Sequence, residues 1–527
     1  MIIDAQGGLP DLSDPFDCCI VGSGPAGITL ALQLIKTGMR VVMLEAGGRE
    51  FTWESQENYE GQNLGLDYFP LESPRLRYLG GTTGHWTGRC MLLEPSDFEA
   101  RDDIPLSGWP ISYDELAPYQ AQAADVIGAP SFGQIRHPVA DSDSLDTVTQ
   151  NFSSDRGFLD FKDHEPRRFG TYYAEQLAQS ERLTVILNAN VTDLDVNSET
   201  GTIQGATFKN YAGTAYRVQA NVFTLAMGAL ENARFLLHLN KGHQNKFGNQ
   251  GDMVGRCFME HLYTPQGHYF STRRLYSHSR YWEFDRLLYR TVPQLVLSPK
   301  PAYARQHGFL NGTLKLDRLQ KKPLSANAQG KSEFISRLEY GEDYHFSGTC
   351  YVASEQSPNL NSRVTLTDDR DSFGMQKIGL DLQLLPVDLA TVRQVALKAA
   401  EYLIQTGLGR MQMKPELWNE VPIKDFPLNY SSHHMGGARM SKTSETGVVD
   451  ANCKVHGANN LYVAGSGAFT TSGFANPRSQ SSSSLCALVT ICTKPLVRRF
   501  SPKIKPLRNI CAAAYFCLHR ALRHREI

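Results

Sequence analysis

The sequence lacks several features that would narrow its class at once. Its ten cysteines, at 18, 19, 90, 257, 350, 453, 486, 492, 511 and 517, form neither CxxC nor CxxCH. Zinc ribbons and attached haem are therefore not expected, and no metal site is expected. No stretch reaches the roughly 18–20 consecutive apolar residues of a membrane span. Charge of one sign is also missing: the net charge of −1 offers no global field for nucleic acid. The opening MIIDAQGGLPDLSDPFDCC has no basic region, apolar region or small-residue cleavage site, so it does not read as a secretory signal. There is no internal repeat, and GxGxxG occurs once only. A reduced, cytoplasmic protein fits these absences.

What is present is globular: 41% hydrophobic and 20% charged residues over 527 positions. That length exceeds the size at which one core stops growing, so two units, or one large domain with a second interwoven, are expected. The segment FDCCIVGSGPAGITLALQLIKTGMRVVMLEAGG (16–48) reads as strand, tight turn, helix, strand. Cys18 and Cys19 sit in the first apolar run as small buried hydrophobes. Ile28 to Lys36 is glycine-free and apolar, a helix that Gly38 ends. Strand patterns return at 182–197 and 202–210, and residues 216–239 run strand, glycine turn, helix. A helix is expected over 387–407, and 265–425 mixes aromatic strands with charged loops.

The glycine turn carries chemistry because of its setting. Gly22 permits the turn, Gly24 lets backbone reach a pyrophosphate, and Gly27 lets helix and strand pack closely. The helix N-terminus supplies unpaired N–H groups for phosphates. Glu45 lies 18 positions after Gly27, at the end of the second strand, where it can accept hydrogen bonds from a ribose diol. GSGPAG followed by LEAG looks like flavoprotein usage, and the lack of a second GxGxxG favours one bound flavin over a nicotinamide partner. Downstream, SSHHMGGARMS (431–441) sets two histidines beside a glycine pair: an acid–base site, or a satisfied core pair. Asn476, between Gly473 and Pro477, can hold a hydroxyl or alkoxide without titrating. Arg89 and Arg439 read as structural loop anchors or phosphate-side residues, and Trp109 and Tyr113 as packing and capping elements. Ser112 with Glu115 forms the S-x-x-E capping box.

Taken in order, these motifs resemble the glucose–methanol–choline (GMC) oxidoreductases over roughly residues 15–500. They are GSGPAG, LEAG, LGGTTGHWTGR, SGWPISYDELAPYQ, LAMGALENARFLL, VGRCFMEH, HHMGGARM and LYVAGSGAF…GFANP. The closest look is to the sugar-oxidising, pyranose 2-oxidase-like branch, whose catalytic pair is His and Asn. The resemblance implies an α/β fold: an FAD-binding Rossmann-like domain with an interwoven α+β substrate domain on an antiparallel sheet. Residues 15–95, 180–264 and 426–497 would form the first, 96–179 and 265–425 the second, and 498–527 a tail. It also implies FAD-dependent oxidation of CH–OH to C=O by hydride transfer to flavin N5. His433 would be the base, Asn476 its partner and His434 a neighbour.

Gly80, Gly81, His85, Val191, Gly465 and Ala468 would join Gly22, Gly24, Gly27 and Glu45 around the cofactor. In some GMC members a histidine at the position of His85 is bonded to the flavin, and that link stays open here. FANPRSQSSSS departs from the family after Pro477, where relatives show apolar or Thr residues. The expected substrate is a sugar, glycoside or polyol; the alternatives are a sterol, terpenoid or aromatic alcohol, or an NAD(P)H-using flavin reductase or monooxygenase. The electron acceptor, whether O₂, a quinone or a redox carrier, is left open, as is oligomeric state. The tail carries many Arg and Lys and one acid, Glu526, with a short apolar run at 510–518. It suits anionic-lipid attachment, an acidic partner, or packing on its own domain.

Overall fold

A computed structural model describes residues 1–86, 89–90, 93–127, 152–153, 157–160, 168–271, 292–318, 346–419 and 421–473. Asn476, the four-serine run and the basic tail lie outside the described residues.

Two sheets carry the chain. In the first, Ile2–Asp4, Leu183–Leu187, Val41–Leu44, Phe16–Val21 and Ala215–Leu225 pair in that order, all four pairs being parallel. Thr202–Lys209 and Asn190–Asn197 extend it as antiparallel strands, and Leu461–Val463 pairs parallel to Ala215–Leu225. All of Val41–Leu44 is buried, as expected for a parallel strand covered on both faces. Ala215–Leu225 serves two settings. Its first half alternates exposed and buried beside the antiparallel strands, and its last four residues are all buried in the parallel layer. The second sheet is antiparallel and runs Gly409–Met413, Leu262–Ser271, Phe346–Ser354, Gly312–Arg318, Val292–Pro299, Gly157–Asp160 and Arg89–Cys90. A smaller sheet of Arg363–Arg370, Gln376–Asp381 and Gly61–Asn63 packs on the helix Ala229–Lys241.

Local chemistry explains the element ends that matter for the site. The first helix spans Pro25–Lys36, three residues earlier than the apolar pattern suggests. Proline is pre-shaped for the first helical position, and Gly24 stands as its N-cap. Gly38, with φ +87°, ends it as expected. The helix Pro386–Gln405 covers the second sheet, and Gly407 follows it with φ +66°. Ser112 and Glu115 form the expected capping box. Cys18 and Cys19 are fully buried free thiols, and burial raises the pKa of Cys18 to about 12. No described helix is long and apolar enough to cross a membrane.

The seams between sheet and helix hold the fold more than surface charge does. Phe16, Phe208 and Phe223 are almost wholly enclosed, and each such side chain contributes about 1.5–3 kcal/mol. An exposed pair such as Arg217 with Asp195 contributes about 0–1 kcal/mol.

Gly27 tests the seam between the first helix and the strand before it. A Cβ there would sit 2.0 Å from the Gly22 carbonyl oxygen. Gly27→Ala should destabilise the protein by about 1–3 kcal/mol. Gly7→Ala, where nothing lies within 4 Å, should be close to neutral. Urea unfolding of the two variants measures the difference; equal midpoints would contradict this packing.

Candidate active site

The glycine turn opens onto a cavity of about 550 Å³, within the range of small-molecule sites. Gly22 takes φ +103°, and a Cβ there would meet the Ala226 carbonyl oxygen at 2.6 Å. A Cβ at Gly24 would meet only that oxygen, at 4.0 Å, so its open side faces the cavity. Gly24 brings no side-chain bond to the first turn of its helix. Cavity-lining N–H groups at such an end suit a phosphate. Glu45 is buried and already committed within the protein. One oxygen accepts from the Ser23 N–H (2.9 Å) and hydroxyl (2.6 Å), and the other from the Gly47 N–H (3.0 Å). It shapes the turn as well as lining the cavity.

The loop 79–86 docks on this turn. The Gly80 N–H donates to the Ser23 carbonyl at 3.1 Å, and Leu79 N–H to that of Gly48 at 3.0 Å. A Cβ on Gly81 would come within 3.2 Å of the Gly24 Cα. Arg168 braces the far end through the Thr83 and Trp86 carbonyls at 2.8 and 3.0 Å. Trp86 is buried in the core, whereas His85 is exposed along the cavity wall. Burial on one side lowers the His85 pKa.

A buried ion-pair chain forms another wall. Arg75 meets Glu231 at 2.8 Å, Glu231 meets Arg234 at 3.1 Å, and Arg234 meets Asp371 at 2.6 Å. Burial alone would raise the Glu231 pKa; Arg234 and Arg75 hold it below the usual range. Breaking such a chain at one member would leave a buried charge unpaired.

The histidine loop completes the cavity. Its backbone pairs with the segment VGRCFMEH: Met259 and Met435 exchange N–H···O bonds of 2.9 and 3.0 Å. Gly436, at φ +73°, allows the approach, since a Cβ would sit 1.9 Å from the Cys257 carbonyl oxygen. This pairing sets Glu260 and His261 against His433. Glu260 Oε1 accepts from the His433 N–H at 2.6 Å and the His261 N–H at 2.9 Å. His261 Nδ1 and His433 Nδ1 are 3.1 Å apart, with ring planes at 88°. The Tyr68 hydroxyl donates to Glu260 Oε2 at 2.5 Å and faces His434 Nε2 at 2.9 Å. Burial raises the Glu260 pKa to about 7 and lowers those of His261 and His434 to about 4 and about 3.

Next along the chain, Thr471–Gly473 is tied down from several sides. Thr471 donates to the Asp97 carbonyl at 2.8 Å and accepts from Trp109 Nε1 at 2.7 Å. The Gly473 N–H donates to Glu355 at 3.3 Å. Burial raises the Glu355 pKa to about 7.

Of the residues singled out from sequence, Gly22, Gly24, Glu45, Gly81 and His85 line one cavity. Val191, His433, His434 and Gly465 line the same cavity. Gly27, Gly80 and Ala468 stand behind its wall. Gly27 backs onto Gly22, and a Cβ on Gly80 would strike the Gly170 N at 2.4 Å rather than reach the cavity. The Ala468 carbonyl accepts from the Met440 N–H at 2.9 Å. Arg439 anchors loops through the Thr446 and Leu106 carbonyls, 2.5 and 2.7 Å away. The Arg89 side chain lies outside the description. Sequence reasoning missed Tyr68, Glu260, His261 and the Arg75–Glu231–Arg234 chain. An acid next to a histidine in VGRCFMEH was the one available signal for the central pair.

Comparison with known proteins agrees with this construction. Residues 358–481 match the family described as GMC oxidoreductase. The chain is 23% identical to 2-methyl-1,2-propanediol dehydrogenase of Mycolicibacterium austroafricanum, over 93% of this chain and 96% of that one. It is 22% identical to the fructose dehydrogenase large subunit of Gluconobacter japonicus, over 87% and 94%. Its fold resembles that of a formate oxidase of Aspergillus oryzae studied for FAD modification, with TM-score 0.57 and 16% identity, over 94% of this chain and 100% of that one. With the glycine turn, its docked second loop and the histidine loop around one cavity, the chain carries a GMC oxidoreductase domain over residues 358–481 and is similar over most of its length to two dehydrogenases.

Proposed function

We propose that this enzyme oxidises a CH–OH group of a polyol or sugar to C=O, with His433 as the base. The observation that carries the reading is the seat of His433: it lines the same cavity as the glycine turn, with its backbone held by Glu260 and its ring by His261. The two relatives named for a diol and for fructose support a polyhydroxylated substrate. Residues 15–95, 180–264 and 426–497 form the flavin-binding unit in this reading, and 96–179 and 265–425 the substrate-facing one.

The cavity residues fit FAD. Gly24 and the helix N-terminus would take the pyrophosphate, Glu45 the ribose end, and Gly81, His85 and Gly465 the flavin end. FAD, when bound, supplies a hydride acceptor at N5. The protein's part is to hold the alcohol, remove its proton and keep water out. His433 takes the hydroxyl proton, while His434, kept neutral by burial and bonded to Tyr68, is a neighbour rather than the base. Asn476, three residues beyond the anchored Gly473, would orient the same oxygen.

Two outcomes follow. His433→Ala should slow anaerobic reduction of the flavin by alcohol about 10²–10⁴-fold while FAD stays bound, as read by stopped-flow absorbance. Wild-type bleaching in that variant would remove His433 from the mechanism. The loop contacts hold the cofactor without a covalent bond in this account, so acid precipitation should leave the flavin in the supernatant. A yellow pellet that His85→Ala renders colourless would establish the His85 link instead.

A further inference from the structure

We propose that His261 is a positioning residue that fixes the tautomer of His433, leaving His433 Nε2 as the nitrogen that takes the substrate proton. The proposal rests on His433 being the base.

The protons can be placed from the acceptors around the pair. His261 Nε2 lies 2.9 Å from the Gly473 carbonyl oxygen and 3.3 Å from that of Ser472. Carbonyls only accept, so this nitrogen carries a hydrogen. The ring is wholly buried, and burial brings its pKa down to about 4, so at neutral pH it carries one proton and not two. A neutral imidazole has one donor and one acceptor. His261 Nδ1 is then the acceptor, and His433 Nδ1, 3.1 Å away, is the donor. The lone pair of neutral His433 is left on Nε2. The reverse tautomer of His433 would set two lone pairs against each other across a contact in which His261 is fully buried.

The arrangement also serves the step itself. The substrate O–H bond breaks and an Nε2–H bond forms on His433, while the carbinol C–H pair leaves as hydride to FAD. His433 is then a cation whose Nδ1–H bond to His261 is charge-assisted and stronger. The low basicity of His261 keeps the proton on His433. Glu260 joins the two backbones through one oxygen, and Tyr68 and His434 are further titratable groups bonded into this cluster among the described residues.

Two amide substitutions separate the two ring nitrogens. His261→Asn keeps an acceptor near the Nδ1 position; His261→Gln keeps a donor near Nε2 but loses that acceptor. Both are purified with FAD, checked for melting temperature and flavin content, and mixed anaerobically with the alcohol that best reduces the wild type. His261→Gln should lower the limiting rate of flavin reduction on the order of 10²-fold, with little change in the half-saturating concentration. Its acid limb should move to lower pH, because the protonated base loses its better-bonded partner. His261→Asn should stay within about tenfold of wild type, with the wild-type limb. Equal losses in both variants with an unmoved limb, or a wild-type rate in His261→Gln, would overturn the proposal. His433→Ala in parallel separates the two ideas. If it reduces as wild type, the base assignment fails; if it is slow while His261→Gln is fast, only the role of His261 fails.

Discussion

The site depends on one short backbone pairing, the reciprocal bonds between Met259 and Met435. The two segments are far apart in the chain, and each is anchored elsewhere. Residues after Met259 run into the strand Leu262–Ser271, and residues after Met435 pass along Ser466–Ala468. Pairing them brings a carboxyl and two imidazoles together within hydrogen-bond reach. Glycine is required at 436 because the approach to Cys257 leaves no room for a side chain. A shift of one residue would turn Glu260 and His261 to opposite sides of their present partners.

A second constraint joins the cofactor end to the same frame. Glu45 ties the first glycine turn to Gly47, Ser23 links that turn to Gly80, and Arg168 holds the loop beyond it. Three chain segments thus form one rigid rim. The ion-pair chain from Arg75 to Asp371 adds buried charge that is stable only while every member is paired. A preorganised cavity of this kind suits proton removal, since its dipoles are already set before substrate arrives.

Much of this was legible in the sequence, for identifiable reasons. Gly22, Gly24 and Gly27 declare themselves because their spacing follows from turn, approach and packing; Gly22 has the positive φ, Gly27 the close packing, and Gly24 an open side on the cavity. Val41–Leu44 and the two long helices were visible through apolar run and period. The start of the first helix was not, because proline interrupts the apolar pattern while favouring a helix N-terminus. Gly80 and Gly81 look alike in sequence, yet one gives way to Gly170 and the other faces the cavity. Tyr68 and His261 could not be read as partners of the histidine loop. They lie 366 and 172 positions from His434 and His433, and only the tertiary fold brings them together.

The central claim is that this cavity passes electrons from an alcohol and not from a nicotinamide. The most direct measurement mixes the purified yellow protein anaerobically with a panel of diols, polyols and sugars, and separately with NADH and NADPH, while flavin absorbance is followed. The account predicts bleaching by at least one polyhydroxylated alcohol and none by either nicotinamide. Bleaching by NADH or NADPH with no response to any alcohol would contradict it.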